Sequence, residues 1–254
     1  MKLHVISSGS SGNSYCVETD TDLLFFDIGA SVTRVKRSLA SLFPCKTVSL
    51  FLTHEHFDHV SGIAPFIRAF NPKVYSSVGT ADYIKRTVAP MDDVNILTAG
   101  VRYDIGAFSV IPFNVSHDAA EPFGYKLIAP CGNIGFLTDL GYVTTEQLAY
   151  MEDVCFLVLE ANHDEKMLKA GKYPASLKKR IASNKGHLSN SDAFAVLTAL
   201  HGGSLSCCLF AHISEENNDY NLLEKLGKFC SEQYGIKTGV LRQKSYTSYE
   251  LSAV

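Results

Sequence analysis

Residues 53 to 59 read Thr53-His54-Glu55-His56-Phe57-Asp58-His59 and follow a mostly apolar run from Val48 to Leu52. The run has the β-branched and aromatic character of a buried strand, so the residues after it form a loop at the strand's carboxyl end. Within six residues that loop carries three imidazoles and Asp58. His54 and His56, at alternate positions, can turn to one side, while Asp58 and His59 reach a second point a few ångströms away. Neutral imidazole and carboxylate are the ligands taken by Zn²⁺ and similar divalent ions, so one loop can feed two of them. For a single histidine, a surface residue at a helix start would be the preferred reading, with Asp58 capping the stretch Val60 to Phe70. Three histidines and a carboxylate at this spacing displace it.

Further ligands must then lie at other strand ends, and the chain supplies them. His117 follows the strand-like segment Ser109 to Val115, Asp139 follows Gly135 to Thr138, and His212 follows Cys207 to Ala211. Each stands after an apolar run and before a polar loop. Of the other histidines, His4 reads as a strand surface residue, and His201 closes a helix before Gly202-Gly203, where a cation suits the helix dipole.

The chain in order gives three short strands, then helices alternating with strands, and then the same succession again. This predicts an α/β protein in which two sheets pack together with helices outside, an αββα sandwich. No low-complexity linker divides it, so residues 1–254 are expected to form a single domain. The last strand is expected near Thr238 to Leu241. Between the first two strands lies Ser7-Ser8-Gly9-Ser10-Ser11-Gly12-Asn13-Ser14, either a flexible turn or a loop whose small residues meet a phosphate. Ser10 and Asn13 are its candidate substrate contacts.

The composition is that of an ordinary globular protein, 46% hydrophobic and 19% charged. No apolar run approaches the ~18 residues of a membrane span, nor does the start resemble a signal peptide, so a cytoplasmic location and no membrane partner are expected. Seven scattered cysteines without a Cys-x-x-Cys read as reduced core residues. The net charge of −3 argues against non-specific coating of nucleic acid but leaves room for a local basic groove.

The loop at 54 to 59 resembles the signature of the metallo-β-lactamase superfamily of binuclear metallohydrolases, which implies the same αββα fold. Carried onto that pattern, His54, His56 and His117 would hold one ion, Asp58, His59 and His212 the other, and Asp139 would bridge both. Lys185-Gly186-His187-Leu188-Ser189-Asn190 precedes an apolar helix, where free N–H groups would point at an anion. It resembles the Gly-His-x-Ser element of tRNase Z and the PhnP phosphodiesterase, which implies that His187 contacts the scissile phosphate or protonates the leaving group. Glu160-Ala161 resembles the element that supports such a histidine.

Within the superfamily, His56 departs from the flavodiiron pattern. The 72 residues between Asp139 and His212 are too few for a β-CASP insertion, and the 42 after His212 too few for a glyoxalase II tail. Across nearly its full length the chain resembles the YycJ/WalJ family, on Ser8-Gly9-Ser10-Ser11-Gly12-Asn13-Ser14, Phe26-Asp27-Ile28-Gly29, the histidine loop, Leu159 to Asp164, Gly186 to Asn190 and His212 to Asn218. The resemblance implies a hydrolase with two divalent ions, Zn or Mn with Fe as a further option, acting as a 5′ to 3′ exonuclease on double-stranded DNA. A hydroxide held between the ions would attack the phosphodiester, with Asp58 orienting it. Independently, residues 166 to 185 contain seven Lys or Arg and no Asp or Glu. The run reads as a solvated helix face or as a backbone-binding track, with Lys185 beside His187 and DNA ahead of RNA as partner. The alternative is a small-molecule, cyclic phosphodiesterase of the PhnP kind. Oligomeric state is not readable.

Overall fold

The computed structural model describes residues 1–88 and 93–251. They divide into two compact units. One comprises Met1–Val101, Ala119–Phe123 and the segment from Arg242 on; the other comprises Arg102–Asp118 and Gly124–Leu241.

The first unit is built on a seven-stranded sheet. Strands β1 (Lys2–Ser7), β2 (Ser14–Glu18) and β3 (Asp22–Phe26) form an antiparallel meander. The sheet continues in parallel through β4 (Thr47–Phe51), β5 (Lys73–Ser76) and β6 (Val94–Ile96). Parallel neighbours need crossovers, and helices α1 (Val32–Leu39), α2 (Phe57–Val60), α3 (Ile63–Phe70) and α4 (Val78–Thr87) supply them. Ser31 and Ser77 start α1 and α4 by accepting from the backbone amides of Arg34 and Thr80. Val35 and Leu39 of α1, with Ile63 and Phe66 of α3, cluster with Leu23, Phe25, Leu50 and Leu52 of the sheet. Burial of each such side chain contributes about 1.5–3 kcal/mol.

The second unit repeats the plan. Its sheet runs from β7 (Tyr103–Ile105) and β8 (Phe108–Asn114) through β9 (Phe123–Ile128), β10 (Asn133–Leu137), β11 (Val154–Glu160) and β12 (Cys207–Ala211) to β13 (Lys237–Val240). The last four are parallel. Helices α5 (Thr145–Met151), α6 (Glu165–Ala170), α7 (Ala175–Ile181), α8 (Asn190–Leu200) and α9 (Tyr220–Tyr234) occupy the connections. Leu157 and Leu159 on β11 pack with Val196, Leu197 and Leu223 of the helices.

Three features differ from the sequence expectation. A strand β14 (Thr247–Glu250) returns to the first sheet and pairs with β1. Its residues are polar and alternately exposed, so it carries no apolar run to mark it. Beside it, Tyr246 takes His4 Nδ1 at 2.9 Å while Glu18 takes Nε2 at 2.8 Å, so His4 is buried and not a surface residue. Finally, the helix expected from Val60 to Phe70 breaks at Ser61-Gly62, where Gly62 N–H donates to the Ile28 carbonyl. Cys16, Cys208 and Cys230 are buried free thiols; the Cys45 side chain lies outside the described part.

In both sheets the chemistry-bearing residues follow the carboxyl ends of strands, where ligand sites of α/β sheets lie. Asp27 follows β3, the histidine loop follows β4, Asp139 follows β10 and His212 follows β12. Close backbone packing underlies the first of these turns. A Cβ on Gly29 would lie 1.7 Å from the Asp58 carbonyl oxygen, so no side chain fits there. Gly29→Ala is therefore expected to lower the unfolding free energy by more than about 2 kcal/mol in urea titrations. Gly106→Ala, at φ +65° with nothing within 4 Å, should cost only about 1 kcal/mol. Equal costs would contradict the packing argument.

Candidate metal centre

In the first unit the organising group is Asp27, buried and held at φ +58°. One carboxylate oxygen accepts Thr53 N–H at 2.8 Å; the other accepts Thr53 Oγ1–H at 2.7 Å and His59 Nδ1–H at 2.7 Å. Because the Thr53 hydroxyl spends its one proton on Asp27, its oxygen must accept from His54 Nδ1, 3.0 Å away. Both rings are thereby fixed as Nδ1–H tautomers, leaving Nε2 as the lone-pair atom a divalent ion uses. His56, half-buried, caps α2, and its ring lies edge-on to that of His54 at 4.6 Å. Glu55 anchors the loop by accepting Ala120 N–H at 2.7 Å.

Asn13 braces the same loop. Its backbone N–H donates to the Asp58 carbonyl at 2.7 Å, and its side-chain amide donates to Asp58 Oδ2 at 3.1 Å and His59 Nε2 at 2.9 Å. Its own Oδ1 accepts Gly9 N–H at 2.8 Å, and Asn13 is fully buried, with its side chain committed to Gly9, Asp58 and His59. Ser10, by contrast, is exposed. The Ser-Gly string is thus neither a flexible turn nor a bare phosphate loop. Gly12, at φ +141°, passes so close to Gly29 that a Cβ would lie 2.6 Å from its carbonyl oxygen.

In the second unit Glu160 plays the part of Asp27. Fully buried at the end of β11, its Oε1 accepts His187 Nδ1–H at 2.8 Å and His212 Nδ1–H at 2.9 Å. Its Oε2 accepts the amides of Leu140 and Leu188 at 3.0 and 3.1 Å. Burial alone would raise this carboxyl, but the His187 charge and the His187 and His212 hydrogen bonds outweigh it and hold the group down to about 2. Asp139 Oδ1 lies 3.3 Å from His212 Nδ1, 3.5 Å from His187 Nδ1 and 4.0 Å from His117 Nε2. Asp139 and His212 sit at φ +58° and +52°. His117 Nδ1 donates to the Gly186 carbonyl at 3.0 Å, which again leaves Nε2 as the lone pair. Asp139, Glu160, His187 and His212 each offer a donor atom within 4.8 Å of the others. With four N–H groups on Glu160, and His187 half-buried, Asp139 and His212 are the pair best suited to bind an ion.

One expectation at His187 needs correcting. The amides before α8 are not free for an anion: His187 N–H donates to Ile181, Leu188 N–H to Glu160 and Asn190 N–H to His163. Only the His187 ring remains for that work. Of the basic run, Arg180 is bound through two nitrogens to Asp118, at 2.5 and 3.0 Å, and so braces the His117 loop. Lys166, Lys169, Lys172, Lys179 and Lys185 are exposed. Sequence reasoning missed Asp27 and Glu55 as positioning groups; the signal for Asp27 was an acid immediately before Ile28-Gly29 at a strand end.

A sequence model of the β-lactamase superfamily domain matches residues 21–213. Exodeoxyribonuclease YycJ of Bacillus anthracis is 33% identical over 245 residues, covering 94% of this chain and 93% of the relative. The chain belongs to the metallo-β-lactamase superfamily, in its YycJ/WalJ family. Exodeoxyribonuclease WalJ of Streptococcus pneumoniae is 32% identical over 225 residues, covering 85% and 83% of the two chains. Among solved structures, the metallo-β-lactamase fold protein YhfI of Bacillus subtilis superposes with a TM-score of 0.73 at 13% identity, over 98% of this chain and 99% of that one. This YycJ/WalJ-family chain is thus a hydrolase with the α/β fold expected of it, and divalent metal ions go with that fold. No helix among the described residues is long and apolar enough to cross a membrane.

Because the folded Glu160 carboxyl lies at about 2, below its ordinary 4.5, its stabilisation is present above about pH 4.5 and is lost as pH falls through about 2. For metal-stripped protein, the difference in unfolding free energy between wild type and Glu160→Gln should shrink by about 2 kcal/mol between pH 5 and pH 3. A difference independent of pH would contradict this assignment.

Proposed function

We propose that the chain is a binuclear metal-dependent phosphodiesterase that degrades double-stranded DNA from its 5′ end. The observation that carries the reading is that His54, His59, His117 and His212 each spend Nδ1–H on the fold, which leaves Nε2 of each as the lone-pair nitrogen. Tautomers fixed in this way suit imidazoles that bind a metal. With Asp58 and Asp139 they make a nitrogen and oxygen donor set that fits Zn²⁺, Mn²⁺ or Fe²⁺. Following the family pattern residue by residue, His54, His56 and His117 would hold one ion, Asp58, His59 and His212 the other, and Asp139 would serve both. The kinship with named exodeoxyribonucleases supports DNA as substrate.

Two ions held in this way supply charge for the phosphoryl oxygens and an acidified water. The chain's own residues do the rest. Asp58, its Oδ2 held by Asn13, orients the attacking oxygen. His187, with Nδ1–H fixed on Glu160, turns Nε2 toward the leaving side, where a proton on that nitrogen can be given to the departing oxygen. Phe57, 82% exposed between His56 and Asp58, offers an aromatic face on which an unpaired base can stack. The exposed Ser10 and Lys185 remain the proposed contacts for the strand. Asn13 acts as a positioning residue. Residues 1–254 are read as one functional domain within a cytoplasmic enzyme.

End-labelled double-stranded DNA, single-stranded DNA and RNA, incubated with protein loaded separately with Mn²⁺ and Zn²⁺, test the reading. Stepwise loss of nucleotides from the 5′ end of duplex DNA is expected, abolished in Asp58→Ala. His187→Ala should keep its metal and lose about 10²–10⁴ in rate. Cleavage of small phosphodiesters with none of any polymer would sink the exonuclease reading in favour of a PhnP-like activity.

A further inference from the structure

Among the described residues, five histidines other than His163 are nearly fully buried: His4, His54, His59, His117 and His212. Each has its Nδ1 hydrogen-bonded to a protein atom. His163 is the exception. It is only 3% exposed and its Nδ1 has no partner. That nitrogen is sealed from solvent, so it is the rest of the ring, on a cavity wall, that can meet a partner from outside the chain.

His163 lines a cavity of about 360 Å³ beside α6 and α7, whose apolar wall is Leu168, Ala175 and Ala182. The volume falls in the lower part of the range for small-molecule pockets, about 300–1,000 Å³. Lys169, Lys178 and Lys179 also line it, with Glu165 as the one acid. Lys178 Nζ donates to the Lys169 carbonyl at 2.8 Å, and Glu165 accepts from the hydroxyls of Ser189 and Ser191. The pocket therefore joins an apolar wall and a polar ring to a cationic rim.

The cavity also lies beside the proposed reaction centre. His163 forms a β-bridge with Ser189, and its carbonyl accepts Asn190 N–H at 2.9 Å, two and three residues beyond His187. Its neighbour Asn162 donates to the His212 carbonyl at 2.8 Å. Helix α7 carries two of the cavity lysines, Lys178 and Lys179, and also Arg180, which holds Asp118 next to His117.

We propose that this cavity is a nucleotide pocket that receives one deoxynucleotide of the DNA strand, its base against His163 and Leu168 and its phosphate on Lys178 and Lys179. The proposal rests on DNA being the substrate, and it gives the basic run a specific role, with two of its lysines, Lys178 and Lys179, serving one nucleotide. Base planes pack on apolar walls and offer edge donors and acceptors to an imidazole, while the phosphate matches the lysines.

The test is a titration of the full-length Zn²⁺-loaded protein with dAMP, deoxyadenosine and inorganic phosphate, followed by calorimetry and by the ¹⁵N signals of the histidine rings. We expect dAMP to move the His163 signals and to bind at least tenfold more tightly than either fragment. Ala175→Phe, which fills the cavity from an exposed helix position, should weaken dAMP at least tenfold while leaving the melting temperature and metal content unchanged. In Lys178→Ala/Lys179→Ala, dAMP should bind no better than deoxyadenosine. The proposal is overturned if dAMP leaves the His163 signals unmoved, if Ala175→Phe binds dAMP like wild type, or if phosphate alone binds as well as dAMP. Because this is an equilibrium measurement, it separates the two readings: a protein that binds dAMP here yet degrades no DNA refutes the exonuclease and keeps the pocket.

Discussion

Two buried carboxylates, Asp27 and Glu160, govern the chemistry of this protein. Glu160 accepts four N–H groups and Asp27 three donors, so each is engaged on both oxygens by backbone amide, hydroxyl or imidazole N–H groups of its own unit. A carboxylate buried without such partners would be protonated or strongly destabilising. Fully satisfied, it becomes a rigid acceptor that decides which nitrogen of each neighbouring histidine carries the proton. In this way each sheet converts flexible imidazoles into aimed lone pairs.

The backbone is bent to serve that arrangement. Asp27, Asp139 and His212 all lie in the left-handed region at the ends of parallel strands, three of the five non-glycine residues described there. Such conformations cost of order 1–3 kcal/mol each and persist only where the surroundings impose them. Here the imposing surroundings are the sheets behind and the tight turns beside: Gly29 beneath Asp58, Gly12 beneath Gly29, and Gly186 against Ile181. The bend sets these side chains against their polar partners, Asp27 on Thr53 and His59 and His212 on Glu160, so the rigidity of each sheet is transmitted to the histidines of its own unit.

How far this could be read in advance follows from chemistry. His54, His56, Asp58, His59, His117, Asp139 and His212 stood out as candidates because several histidines after apolar runs, three of them in one loop with an aspartate, are rare enough for their spacing to carry meaning. Strands β1 to β5 and helix α9 were readable from apolar periodicity. Asp27 hid because an acid at a strand end is equally common as a turn residue, and only the fold shows which ring it faces. Asn13 was misjudged for a related reason: its amide could meet a phosphate or a ligand residue, and long-range packing decides between them. Strand β14 was invisible because its partner, β1, lies more than 240 residues away and its own sequence is polar. The positive φ values of Asp27, Asp139 and His212 leave only a faint trace in residue type, since glycine is the default occupant and aspartate and histidine are merely enriched there relative to other side chains.

The fold, and not the metal, sets the histidine tautomers. Long-range ¹⁵N–¹H correlation of the histidine rings in metal-free protein at neutral pH reads them out. His54, His59, His117 and His212 are each expected to be protonated on Nδ1 and bare on Nε2 before any ion is added. Rings protonated on Nε2, or exchanging freely between the two tautomers until metal binds, would contradict it.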